Sequence, residues 1–409
     1  MTIKLFRHAA IYTPLTGAEP APMPRVAEWR DGAMLVSDGR VVAAGEGAEV
    51  ERAARHLRPD VEVDLEGAAA VPGFVDPHTH ACFAERREAE FSMRLAGTPY
   101  LDILRAGGGI LSSVRSVRAA SEDALFRAAA GWLAETMRYG TTTVEVKSGY
   151  GLDTGEELRM LRVIDRLGRE TPQTVVPTFM GAHAVPEWYN SDSYTRLVCD
   201  EMLPAVAEQG TARFCDVFCE REVFSVPQAR EMLSRAAELG LGLKIHADEV
   251  NDLGGAALAG ELHAVSAEHL LAASDEGLDA MAKGGVIAVL LPATAYSLRK
   301  PFARARDMIE RGVTVALATD LNPGSCFCQS MPFVISLAIM CMGLTPDEAL
   351  AGATLNAARA IGMEAQVGSL EPGKLADFVV LDGSTPATLA YASGSRPVRS
   401  VWKMGERIA

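Results

Sequence analysis

The sequence predicts an α/β protein. Its larger part reads as a (β/α)8 barrel of the TIM type, and its smaller part as a β-sandwich built from both chain ends. Three observations carry this. Between about residue 71 and residue 360, short Val-rich runs alternate with longer helical patterns, as in a parallel sheet covered by helices. Eight such runs occur, the number that closes a barrel. The two chain ends read instead as short strands separated by turn residues. The boundaries expected are 71–363 for the barrel and 1–70 plus 364–409 for the sandwich. A doubly wound open sheet is the alternative architecture.

Taken in order, GAMLVSDGRVVAAGE (32–46) is a hairpin signal, two apolar runs about a DGR turn. VEVDLEGAAAV (61–71) continues in the same style. The eight central runs are GFVDPHTH (73–80), TTTVEVKSGYG (141–151), QTVVPTFMGAH (173–183), ARFCDVFC (212–219), GLKIHADE (242–249), HAVSAEHL (263–270), GGVIAVLLP (284–292) and TVALATDLNP (314–323). Helical patterns separate most of them, for example at 122–139 and 225–239. The stretch 81–121 is a long excursion after the first run, suited to a lid or one wall of a site. The apolar stretch 331–344 reads first as a core helix and second as an interface. GSLEPGKLADFVVLD (368–382) and VRSVWKMGERI (398–408) return to strands and turns.

Composition narrows the partners. With 48% apolar and 22% charged residues, a large packed core is expected. A formal net charge of -14 argues against nucleic acid and anionic membranes, whose phosphates repel it. The start, MTIKLFRHAAIYTPL, lacks a secretory apolar stretch, and no run of 18 apolar residues occurs. Seven cysteines in no framework suggest reduced thiols in a cytoplasm. Neither Cys215/Cys219 nor Cys326/Cys328 has structural-zinc spacing, so core or wall roles are expected.

In a barrel, chemistry gathers at the carboxyl ends of the strands. His78 and His80 end the first run, Tyr150 closes the second and His183 ends the third. His246 and Glu249 end the fifth, His269 the sixth, and Asp320 and Asn322 the eighth. Five of the 8 histidines fall in this set; His8 and His56 suit the surface of the sheet domain, and His263 the opposite barrel end. Alternation along a strand puts His78 and His80 on one face, where two imidazoles can share one ion. Alone, such a pair reads more simply as a solvated edge-strand pair. The Pro-Gly before it and the Asp ending the late Val-rich run favour a metal. His246 is the natural third nitrogen ligand. Asp320 ends an apolar run that would not bury a carboxylate without a cation. His78, His80, His246 and Asp320 would close one site for zinc, iron or nickel, which lowers the pKa of a bound water. The fourth run has no lysine to bridge two metals, so one is preferred over a pair that Cys219 or Glu220 would help to hold. Lys244 shares the His246 face, deeper in the barrel, where it suits an ion pair.

These residues resemble the amidohydrolase superfamily, and within it the imidazolonepropionase family, along essentially the whole chain. The segments that carry the resemblance are PGFVDPHTH, YLDILRAGGGILSSVRSVRAAS (100–121), TTTVEVKSGYGL, FMGAHAVP, KIHADE, SAEHL, ALATDLNPGSCF and EPGKLADFVVLD. The resemblance implies an amidohydrolase-type barrel with a composite terminal sheet domain. It implies hydrolysis of 4-imidazolone-5-propionate to N-formimino-L-glutamate, the third step of histidine degradation, with one zinc or iron ion per chain. It places metal ligands on His78, His80, His246 and Asp320. Substrate contacts fall on Arg87, Tyr100, Tyr150, His183, Glu249, Asn322 and Gly324, with Arg86 competing with Arg87, and the catalytic histidine is His269. A homodimer is implied as well.

Opening a cyclic amide needs a strong nucleophile and a place for negative charge. Asp320 is expected to take a proton, His269 to polarise the carbonyl, Glu249 to orient the ring, and Arg87 to hold the propionate carboxylate. The leaving nitrogen takes its proton from Asp320 or a histidine. AGGGIL (106–111) lacks the ending of a phosphate loop and suits a tight backbone path near the ligand. Two rivals stand beside this reading. One is another cyclic-amide hydrolase, or a purine or pyrimidine aminohydrolase, on the same scaffold. The other is a non-enzymatic scaffold protein, which predicts a broken ligand set.

Overall fold

A computed structural model describes residues 2–17, 22–98, 102 and 107–409. Five strands open the chain: β1 (Ile3–Pro14), β2 (Val26–Ser37), β3 (Arg40–Glu46), β4 (Val61–Asp64) and β5 (Ala69–Pro72). Eight more follow: β6 (Phe74–Asp76), β7 (Thr141–Lys147), β8 (Thr174–Ala182), β9 (Phe214–Cys219), β10 (Gly242–Ala247), β11 (Ser266–His269), β12 (Ile287–Leu290) and β13 (Val315–Leu317). Each falls inside one of the eight runs. β14 (Phe378–Leu381), β15 (Val398–Lys403) and β16 (Glu406–Arg407) close the chain.

Strands β6 to β13 pair in sequence order, all parallel. The circle is joined just past the strand ends by a parallel bridge between Thr79 and Leu321. There the His80 N–H donates to Leu321 O at 2.9 Å, and the Asp320 N–H donates to His78 O at 3.1 Å. Helices cover the outside. Glu122–Arg138 starts where the Ser121 side chain accepts the Ala124 N–H, and Pro346–Gly352 starts with a capping box at Thr345.

The barrel interior is layered. Val75, Val176, Phe214, Val289 and Ala316 form an apolar floor, plugged by Ala357, Ala358 and Ile361 at and beyond the helix Leu355–Arg359. Above it lies a buried charged layer: Glu145 and Lys147 of β7, Asp216 of β9, Lys244 of β10 and Glu268 of β11. Period-2 alternation sends Val144 and Val146 outward, against the helices, while Glu145 and Lys147 point in.

The remaining strands form one sheet of order β16-β15-β14-β5-β1-β2-β3, with β4 on β1, so strands from both ends share it. It curls on itself: Phe6 of β1 meets the rings of Phe378 and Trp402 edge-on at 4.9 Å and 5.0 Å. The Gly73 N–H donates to Asp377 O at 2.9 Å, and Lys403 reaches both Asp377 and Thr174, tying sheet to barrel. The excursion 81–121 contains the helices Glu88–Leu95 and Ile110–Ala119. The apolar stretch forms the helix Met331–Met342, largely buried, though Met340 is 72% exposed. No helix among the described residues is long and apolar enough to cross a membrane.

Phe378 is fully buried at the centre of the aromatic cluster. Phe378→Ala is expected to cost about 3–5 kcal/mol, read as a lower urea midpoint.

Candidate metal centre and active site

The barrel seam brings the first and last strands' polar residues together. His78 Nε2 and His80 Nε2 lie 3.6 Å and 3.7 Å from Asp320 Oδ1. His246 Nε2 lies 3.3 Å from His80 Nε2. All four side chains are buried. Both ring nitrogens of His78, and Nδ1 of His80, have no hydrogen-bond partner among the described residues. The orphan His78 Nε2, set with His80 Nε2 beside a buried carboxylate, is what a cation would satisfy. The residues expected as ligands therefore fit a metal ion.

Asp216 and Glu268 lie within ligand range of His78 and His246 as well. They already hold cations of the chain's own. Lys147 Nζ is 2.8 Å from Asp216 Oδ2, and Lys244 Nζ is 3.2 Å from Glu268 Oε1. Lys244 is thus the ion-pair partner that its register with His246 suggests. Cys219 and Glu220 stay outside the cluster. Glu220 accepts the backbone N–H groups of Val250 and Asn251, fixing the loop that follows Glu249.

Burial dominates the electrostatics. It lowers the pKa of His78 and His80 well below the usual imidazole value and holds His183 and His269 down to about 3, so these rings are neutral. Burial also pulls at His246, but the Asp216 carboxylate beside it wins and raises its pKa. Asp320 is raised by burial, its Oδ2 accepting from Thr294 Oγ1 at 2.6 Å. Burial pushes Glu249 up to about 7, and its Oε1 lies 3.6 Å from His269 Nδ1. His269 and Asp320 both take positive φ, 70° and 53°, a left-handed backbone state uncommon outside glycine.

Around this centre, His183 stacks on His80 with centroids 4.7 Å apart, and its ring lies 5.3 Å from that of Tyr150. His183 Nδ1 is 3.1 Å from Gly149 O. Gly149 takes φ of 103°, and a Cβ there would meet that nitrogen at 2.9 Å, so glycine is required.

Arg87 lines a cleft of about 450 Å³ with Arg86, Phe91, Arg94, Pro323 and Gly324. Its guanidinium lies flat against Gly324, where a Cβ would stand 2.6 Å from Arg87 Cζ. Ser113 and Glu90 hold its Nη groups, and its Nε is buried with no partner among the described residues. Arg86 is the exposed one of the pair, its guanidinium against the rings of Trp132 and Phe327, 5.0 Å and 4.8 Å from their centroids. Asn322 spends its amide inside the loop after β13: Oδ1 accepts from the N–H groups of Gly324 and Ser325, and Nδ2 donates to Asp320 O. The N–H of Gly109 in the glycine run donates to Glu90 Oε1 at 3.1 Å, so that run braces the partner of Arg87. Tyr100 lies outside the described residues.

Sequence reasoning missed the carboxylates beneath the site and Glu157. Buried Glu157 accepts the N–H groups of Gly149, Gly151 and Leu152 at 2.8–3.0 Å, holding the loop that carries Tyr150. An acidic residue on the inner face of the helix Thr154–Glu170 was the available signal.

The fold and the centre define a class. A sequence model of the amidohydrolase family matches residues 69–408, and the chain belongs to that family. Along its full length the chain is 55% identical to imidazolonepropionase of Desulfotalea psychrophila, covering 100% of both chains. It is 55% identical to imidazolonepropionase of Syntrophobacter fumaroxidans, over 98% of this chain and 96% of that one. Among solved structures, E. coli guanine deaminase superposes with a TM-score of 0.76, 16% identity and coverage of 100% and 99%, a likeness of fold.

Glu157→Gln is expected to cost about 1–3 kcal/mol, because one charged acceptor of buried N–H groups is lost. Hydrogen exchange should speed up at Gly149, Gly151 and Leu152 before it does elsewhere in the barrel.

Proposed function

We propose that the protein hydrolyses the cyclic amide of 4-imidazolone-5-propionate to N-formimino-L-glutamate, a step of histidine degradation, using one zinc or iron ion per chain. The full-length similarity to imidazolonepropionases supports the substrate. The observation that carries the reading is chemical: the Nε2 atoms of His78 and His80 meet the Asp320 carboxylate within metal-ligand range, and an arginine whose buried Nε has no partner among the described residues lies in the cleft lined by Gly324, four residues past Asp320. A ring to be opened and an anionic arm to be held need those two features.

His78, His80, His246 and Asp320 would hold the ion, which supplies Lewis acidity to the lactam carbonyl and to water when bound. Arg87, steered by Ser113 and Glu90, binds the propionate carboxylate. Tyr150 keeps its proton because burial raises its pKa, so its hydroxyl donates to the substrate. Glu249 accepts a ring N–H. Neutral His269 donates to the carbonyl oxygen as negative charge develops there. Asp320, anchored through Oδ2 by Thr294, takes a proton from the attacking water and delivers it to the leaving nitrogen. Water oxygen joins the carbonyl carbon, the C–N bond breaks, and the new carboxylic acid becomes a carboxylate as its remaining proton passes to solvent.

A homodimer in the cytoplasm belongs to the same proposal. Exposed Met340 and Tyr391, on neighbouring helices, support the first, and seven unpaired cysteines suit the second. Light scattering on the purified protein checks the dimer.

Anaerobically prepared 4-imidazolone-5-propionate should be consumed with matching formation of N-formimino-L-glutamate. Metal analysis on the same sample should give about one ion per chain, with activity lost on chelation and restored by zinc or iron. Ammonia release from rings bearing an exocyclic amine, with no turnover of the lactam, would overturn the assignment. Arg87→Met should raise KM by roughly 10–100-fold, the worth of a charged hydrogen bond. Arg86→Met should leave KM nearly unchanged, and equal effects would reject Arg87 as the anchor.

A further inference from the structure

Of the histidines expected to hold the ion, one is braced and two are not. His246 Nδ1 lies 3.0 Å from Asp216 Oδ1. Asp216 Oδ2 lies 2.8 Å from Lys147 Nζ, which is also 2.8 Å from Glu145 Oε2. The three residues sit on β10, β9 and β7, and all are buried. His78 has no partner on either nitrogen and His80 none on Nδ1, among the described residues.

We propose that Asp216 and Lys147 are positioning residues for the metal site, acting through His246, and that this bracing makes His246 the ligand that sets metal affinity. The proposal rests on the ligand set given above. An imidazole offers a lone pair on Nε2 only when its other nitrogen carries the proton. A carboxylate accepting from Nδ1–H fixes that tautomer, fixes the ring plane and makes Nε2 a stronger donor to a metal. A carboxylate so deeply buried needs a counter-charge, and the Lys147 ammonium supplies it from the opposite oxygen. Among the described residues, the side-chain contacts of Lys147 lead to the expected ligands through Asp216 and His246.

The test is zinc affinity of the full-length protein, by competition with a fluorescent chelator, with urea midpoints on the same samples to confirm folding. Asp216→Asn is expected to weaken zinc binding by roughly 10–100-fold. Lys147→Met should weaken it too, and the double variant should lose little more than Asp216→Asn, because both act through one contact. Asp216→Glu, which keeps the charged acceptor, should recover part of the loss. A merely structural role would lower the urea midpoint and leave the affinity of the folded protein alone. Zinc binding by Asp216→Asn within twofold of the parent, or fully additive losses, would overturn the bracing. If Asp216→Asn does not fold, Lys147→Met carries the test, and unchanged affinity overturns the proposal. Failure of the parent itself to bind zinc overturns the ligand set, and this proposal with it.

Discussion

The seam of the barrel is the constraint on which everything at the site depends. Two backbone hydrogen bonds, His80 N–H to Leu321 O and Asp320 N–H to His78 O, join the first strand to the last. Three of the four residues that make them, His78, His80 and Asp320, are those whose side chains converge. Side chains alternate along a strand, so a slip of one residue at this seam would turn both histidines away from Asp320. Closure of the fold and assembly of the centre are thus one event. The positive φ of Asp320 is part of its cost.

Beneath the seam the interior is charged where a barrel is ordinarily packed with branched apolar side chains. Glu145, Asp216 and Glu268 face Lys147 and Lys244, three anions against two cations. Burying ions is expensive and is tolerated only with close pairing. Here two ammonium groups are set among three carboxylates, all buried, beneath the imidazoles. The Val and Phe floor and the plugging helix shut water out from below, which keeps the field strong.

Much of this was legible in the sequence because strand period and strand ends are simple signals. Eight Val-rich runs gave eight strands, and reading each at its carboxyl end gave His78, His80, His246, His269 and Asp320. Lys244 was found by the same parity with His246. Asp216 and Glu145 were not singled out, because an acidic residue inside a strand reads alone as an edge or surface position. The lysine partner of Asp216 sits on another strand, β7, and only the assembled sheet reveals that pair; Glu145 has the same lysine two residues on along its own strand. Glu157 stayed hidden for a related reason: it works on backbone N–H groups, which every sequence has. The choice between Arg86 and Arg87 needed Gly324, more than two hundred residues away.

The composite sheet has a consequence for synthesis. β5 lies between β1 and β14, so one of its edges is completed by a strand made about 300 residues later. At a ribosomal pace of roughly 5–20 residues per second, that edge waits for about 15–60 s. Through that interval it presents unpaired N–H and C=O groups beside an apolar face, the pattern that invites a neighbouring nascent chain to pair. The sheet is therefore still open along this edge when all eight barrel strands have been made, and a nascent chain beside it on the polysome meets that edge until β14 arrives.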